Sequence, residues 1–432
     1  MRIKTLLLAV ITLMMAAATP AARSQDLGDT MVTRMVSWFT GDPCAGEGPS
    51  PAAPKNYSCA EETSCGDGSC GCCSQCCKCY DTFGSAEFLM WWARGTSLPP
   101  LVTTSVPGTP QGSAGVLDAN TTSILFGDQL ATSKLQGGGR ITAGIWLDPE
   151  HNVALGGRFF GLGGDTTRFS ASTSDNAILA RPFSNALLGI EDAFLVSYPG
   201  LTSGSVTAHV TTNNIIGADA FTEIMMMRDS RRRVDLVAGY QFFRLDDWLQ
   251  VNSSSTFIDA NDPSTFGTQL DINDRFSTHN QFHGGQVGLR GRMARGMWSL
   301  NVLGVLGIGN MNEQVTINGS TVVTASGASN TTAGGLLAQP TNMGTFTRNR
   351  FAFLPQLNAN LNYHVTPNLS FHMGYNILWI SNLATSAQQI DPQVNPSQFL
   401  GGALVGPARP QFTFQDSDYW LQGINWGMNW DF

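Results

Sequence analysis
The sequence is short of charge. Only 13% of its 432 residues are charged, against about 25% in soluble domains. Lysine occurs only at Lys4, Lys55, Lys78 and Lys134. A net charge of −8 argues against nucleic acid as a partner, and the one basic run is Arg231-Arg232-Arg233. Beyond Cys79 there is no cysteine, so four-fifths of the chain folds without disulfides. Beyond Leu6–Ala18 no apolar run approaches the length of a spanning helix. Any membrane crossing must therefore be made by strands closed into a barrel, because lipid offers no partner to an open backbone. P-loop, dinucleotide-binding and metal-protease patterns are missing as well, and the glycine-rich stretches sit at strand ends and turns. No cofactor and no metal are expected.

What is present begins with an export signal over residues 1–24. Arg2 and Lys4 precede an apolar core, and small residues follow, with cleavage expected between Ala21 and Gln25. Residues 25–82 read as a periplasmic head and linker. Asp29–Phe39 has the spacing of a short amphipathic helix. All nine cysteines follow: Cys44, Cys59, Cys65, Cys70, Cys72, Cys73, Cys76, Cys77 and Cys79. In an oxidising compartment such crowding favours disulfides, and the odd count leaves one thiol for a link to another chain. Cys70-x-x-Cys73 and Cys76-x-x-Cys79 have ligand-like spacing, but the interval between them is tight for a zinc knuckle. An unpaired tether is the third reading.

The C-terminal stretch sets the pattern for residues 83–432. Ile424, Trp426, Met428, Trp430 and Phe432 alternate with Gly423, Asn425, Gly427, Asn429 and Asp431. A period of two with one greasy and one small polar face is the pattern of a strand between lipid and lumen. The terminal Phe with apolar residues at alternate positions resembles the assembly signal of bacterial outer-membrane barrels, which implies recognition by the barrel-assembly machinery.

The same alternation recurs upstream. Phe83–Arg94 stands alone. Arg140–Leu147 and Asn152–Leu162 turn at Asp148–His151. Ile216–Arg228 and Arg233–Arg244 turn at Asp229–Arg232. Gln281–Met293 and Met297–Asn310 turn at Ala294–Gly296. Residues 350–364 and 369–379 turn around Pro367. Asn318-Gly319 is a hairpin signal that predicts a projecting ribbon turning there, and Pro355 predicts a bulge. The expectation is an all-β, transmembrane, antiparallel up-and-down barrel of about ten strands (8–12), in which four short turns alternate with five long loops.

Three blocks carry a family resemblance: 86–92 through 98–105, Gly138–Asp148 and Val237–Leu245. Here the chain resembles the type-seven beta-barrel porins of planctomycete-type bacteria. The resemblance spans residue 83 to the end and implies an outer-membrane barrel. The resemblance brings no established substrate and no functional residues.

The candidate lumen face comprises Arg140, Arg158, Asp235, Arg290, Arg292, Arg350, His364, His372 and Asp431. Two roles compete for it: a charged constriction that selects small solutes, or an ion-paired interior that fills a narrow barrel. The chain is accordingly read as a small-solute porin of the outer membrane, or else as a non-conducting structural barrel whose head crosslinks it. Its partners are then outer-membrane lipid and a disulfide-linked second copy. Catalysis is not expected: Ser277, His279, His283, Asp246 and Asp247 lie near one outer loop, but no spacing ties them into a triad.

Overall fold
The computed structural model describes residues 81–432. The signal peptide, the expected helix 29–39 and all nine cysteines lie outside the described residues. Ten strands of the main sheet form a ring: β1 (Thr82–Ala93), β2 (Leu135–Trp146), β3 (Val153–Leu162), β4 (Thr202–Arg228), β5 (Arg232–Phe257), β6 (Gln269–Arg295), β7 (Trp298–Ala325), β8 (Gly344–Thr366), β9 (Leu369–Leu383) and β10 (Ser417–Asp431). Each pairs antiparallel with the next, and β10 pairs with β1, so the ring closes. Closure leaves no strand edge facing lipid. Following hydrogen-bonded neighbours round the ring from Thr82, through Ile145, Leu155, Thr222, Ala238, Val287 and Leu306, re-enters β1 near Arg94. That stagger obliges the strands to tilt.

The short connections share one end of the ring. Their chemistry is local: the Asp148 carboxylate accepts from the backbone amides of Asn152 and Val153, and the Asp229 carboxylate accepts from those of Arg231 and Arg232. Gly296, at φ +62°, turns β6 into β7. The long loops share the other end. By the rule for bacterial barrels the short-turn end is periplasmic.

Next to that end the outward residues are apolar. Phe88, Ile141, Phe159, Tyr240, Val287, Trp298, Phe353, Phe371 and Trp426 are all exposed. Higher up, the alternation changes sign. On β5 the outward residues run Val234, Leu236, Ala238, Tyr240, Phe242, and then Arg244, Asp246, Trp248, Gln250 and Asn252, polar but for Trp248, over which the outward Arg275 stacks. The inward residues run Asp235, Val237 and Gln241, and then Phe243, Leu245, Asp247, Leu249 and Val251. The greasy side therefore switches from outside to inside along the strand, the pattern expected where a barrel wall passes from hydrocarbon to water.

This reversal corrects several expectations. β4 to β7 are 27, 26, 27 and 28 residues long, where a tilted strand needs about 9–11 to cross a bilayer. Residues 202–215, 245–257 and 269–280, expected as loops, and 311–325, expected as a projecting ribbon, continue the strands outward. Thr202–Arg228 also pairs with a strand at Asp165–Ser172. A smaller sheet built from 102–105, 122–126, 179–185 and 190–197 packs against the extension. Its core joins Val102, Leu179 and Val196 to Val206, Leu249, Phe276 and Ile317. The outer end is therefore a folded cap.

Two local readings fail for clear reasons. The ribbon of β7 turns at Ser326-Gly327, not at Asn318-Gly319. Gly319 stays in the ladder opposite Asp274, where the Ala338 carbonyl oxygen lies 2.2 Å from the position a Cβ would take, so only glycine fits. Pro355 causes no bulge: it opposes Leu306 in unbroken register, and the ladder from β8 to β9 begins one residue later, at Gln356. Its missing N–H falls where pairing to β9 has not yet started.

Candidate functional site: a polar vestibule beneath an apolar seal
The lower half of the barrel interior is a cavity of about 640 Å³ that opens among the short turns. Six of the nine candidate lumen residues line it: Arg140, Arg158, Arg290, Arg292, His364 and Asp431. Asp235 and His372 are buried in the same wall. Arg350 is different. It lies above this chamber, where β8 and β9 have parted, 48% exposed and 3.5 Å from Asp416. Its inward parity on β8 was legible, but the opening between the two strands was not.

The wall is ion-paired throughout. Arg158 grips Asp219 with two bonds, at 2.6 and 3.2 Å. Arg290 lies 2.7 Å from Glu223, and Arg292 shares that carboxylate at 3.3 Å. Arg233 donates to Asp235 at 2.7 Å and stacks over Trp146. Glu87 takes Arg140 as a fork and has the His372 ring 3.5 Å away. Strands β8 to β10 supply asparagines that continue this network. Arg140 donates to Asn376 at 2.8 Å, Asn376 donates to Asn425 at 2.7 Å, and Asn425 donates to Glu87 at 2.6 Å. Buried charges of this kind persist only when paired and hydrogen-bonded.

Above the charges the interior turns apolar. Leu89 and Trp91 from β1, Phe160 from β3, Phe243 from β5, Phe282 from β6, Met311 from β7, Leu354 from β8, Leu378 from β9 and Tyr419 from β10 meet in one layer. None is more than 5% exposed. Trp91 and Phe160 pack with ring centres 5.4 Å apart. Sequence reasoning missed this layer, although a signal was there. Phe88–Trp92, Phe159-Phe160 and Phe242-Phe243 are greasy on successive residues, so both faces of those strands are apolar at that level.

Loops close the top. The Asp247 carboxylate accepts from the Ser386 amide at 2.7 Å and the Thr212 hydroxyl at 3.1 Å. Asn280 donates to the Ala384 carbonyl at 2.9 Å and accepts from the Ala384 amide at 3.0 Å. Further out, Arg181 and Asp274 form a buried pair at 2.6 Å, and Asp274 also accepts from the Leu337 and Ala338 amides.

The cluster near the outer loop is partly assembled. On the outer wall the His279 ring sits 2.5 Å from Asp246, which also binds Arg244 at 2.7 Å. Ser277 shares that face, but its hydroxyl accepts from Arg275 at 3.3 Å. Asp247 points inward to the cap, and His283 meets Tyr240. Among the described residues no hydrogen bond joins Ser277 to His279.

Solved structures with a similar course are outer-membrane proteins. The protease OmpT of Escherichia coli is 10% identical, with a TM-score of 0.34, 82% of this chain and 97% of that chain covered. A FadL homologue of Pseudomonas aeruginosa is 7% identical, with a TM-score of 0.22, 82% and 90% covered. The toluene transporter TodX of Pseudomonas putida is 8% identical, with a TM-score of 0.16 and the same coverages. No curated protein matches the sequence. The family described as "Putative beta barrel porin-7" matches residues 83–432, the whole ring from β1 to β10, and the chain belongs to that family of outer-membrane barrels.

Proposed function
We propose that this protein is a sealed outer-membrane barrel, which anchors a folded cap on the outer side of the membrane and conducts no solute. One observation carries the reading: the apolar layer from Leu89 to Tyr419, drawn from nearly every strand and closed to water. Ten strands enclose an interior only a little wider than the eight-strand case that side chains fill, far from the sixteen or so of open porins. The layer fills that interior with side chains that water does not reach, and its few polar atoms, such as the Tyr419 hydroxyl, are buried with them.

The nine cysteines between Cys44 and Cys79 support a second part of the reading. An exported chain with an odd number of crowded cysteines can join a neighbour, which suits an envelope component.

Planar-bilayer recording with the folded mature chain tests the seal. A silent membrane is expected. Stable ion-selective steps from heat-modifiable protein would restore the small-solute pore. Gels run with and without reductant test the crosslink: multimers that collapse to monomer on reduction are expected, and a monomer in both lanes would remove it.

A further inference from the structure
The vestibule faces the periplasm, and its charges are not evenly presented. The acidic partners lie deep in the wall. The Glu223 and Asp235 side chains are fully buried, and those of Asp219 and Glu87 nearly so. The arginines stand in front of them, and Arg233, Arg290 and Arg292 remain partly open to the chamber, with one carboxylate, Asp431, exposed at its lower edge. At the mouth, Arg228, Arg231 and Arg232 join the lining. The carboxylates there are mostly engaged, since Asp81 pairs with His151 at 2.6 Å and Asp229 is held by its own turn.

Arg292 is the informative residue. Glu223 already has Arg290 at 2.7 Å, so Arg292 at 3.3 Å is a second cation on one carboxylate. Its side chain is 30% exposed, and its buried Nε has no hydrogen-bond partner among the described residues. A partly exposed guanidinium lining a polar chamber can pair with an oxygen of a carboxylate or phosphate. The chamber lies in the size range of small-ligand sites, about 300–1,000 Å³. Neutral polar side chains complete the lining: Asn358, Asn360 and Asn429, with Ser85 and Ser370.

We propose that the vestibule is a binding site for a small polyanion, a molecule or end-group bearing two or three carboxylates or phosphates, entering from the periplasmic side. Because the apolar layer closes the far end, the ligand docks and returns rather than crossing. The same chemistry could come from a free solute or from an anionic terminus of a cell-wall polymer.

The test is isothermal titration of the full mature chain, folded in detergent, with pyrophosphate, citrate and soluble peptidoglycan fragments, and with glucose as a neutral control. Binding of an anion is expected, weakening as salt rises, with no response to glucose. Arg292→Gln should weaken it about tenfold or more, while Glu223 keeps Arg290 and the fold survives. A mouth variant, Arg231→Glu with Arg232→Glu, alters only exposed turn residues and should weaken binding in the same direction. Heat-modifiable migration reports folding in each case. Tighter binding of peptidoglycan fragments than of pyrophosphate points to a wall terminus, and equal or weaker binding points to a free solute. The proposal fails if no anion binds at millimolar concentration, if glucose binds equally, or if both folded variants bind as tightly as the parent.

Discussion

Glu223 shows how single residues are held inside this barrel. It is fully buried between Arg290 and Arg292. Replacing it with glutamine would leave two guanidinium groups facing one another without a counter-charge. Breaking a buried pair from one side costs about 3–5 kcal/mol, so Glu223→Gln should markedly lower the denaturant midpoint of the folded band on a heat-modifiability gel. Arg350→Ala is the contrast. That side chain is half exposed and 3.5 Å from Asp416, and such surface pairs are worth about 0–1 kcal/mol, so its midpoint should hardly move. On the outer wall, above the apolar band, Asp246 sets a pH response. Burial alone would push its carboxyl up, but hydrogen bonds from Arg244, Asn214 and His279 outweigh that and hold it below the usual carboxylate range. A depressed carboxyl contributes stability that is present above its unfolded pKa and is lost as pH falls through the folded value. Unfolding measured from pH 7 down to pH 2 should therefore show an acid loss that Asp246→Asn reduces. An unchanged profile in the variant would mean that Asp246 contributes nothing to acid lability.

At the scale of the strand, the ring was legible and the cap was not. Ile141 against Arg140, Phe159 against Arg158 and Leu361 against Asn362 alternate in plain sight, because lipid and lumen demand opposite chemistry on successive residues. The ten strands and the order of short and long connections follow from that alone. The upper halves of β4 to β7 also alternate, as Leu249, Gln250, Val251 and Asn252 do, but with the greasy side turned inward. A reading tuned to the lower half takes such serine-, threonine- and asparagine-rich stretches for loops. What covers them comes from distant residues such as Leu179, Leu337 and Ala387, and no local pattern announces that. Gly319 is a test of this packing. Its neighbours are the backbone of Ala338 and Gly335, at 2.2 and 2.6 Å from a Cβ placed there, so Gly319→Ala must displace the returning loop. Overpacking of this kind costs about 1–3 kcal/mol. Faster proteolytic nicking within 334–343 is expected, with the membrane ring still heat-modifiable. Gly327, which has open space around it, should tolerate alanine with only the strain of its positive φ, roughly 1–2 kcal/mol, and no change in the nicking of 334–343.

For the molecule as a whole, the decisive quantity is the width of the interior set against what fills it. An ion-paired lower chamber would pass water and ions if nothing lay above it, since its polar walls and 640 Å³ of space are open at the mouth. The apolar layer is what stops them, and it rests on a few large side chains. Trp91, Phe243 and Phe282 come from three separate strands of the ring and are at most 1% exposed. Single truncation to alanine leaves the others to close the gap and costs about 3–5 kcal/mol in stability, so each single variant should remain silent in a planar bilayer. Removing all three rings together opens a space that the neighbouring leucines cannot span, and folded triple variant should give discrete conductance steps. Continued silence from that folded variant would move the block upward, to the loops pinned by Asp247 and Asn280, and the next truncation to record would be of residues 384–390.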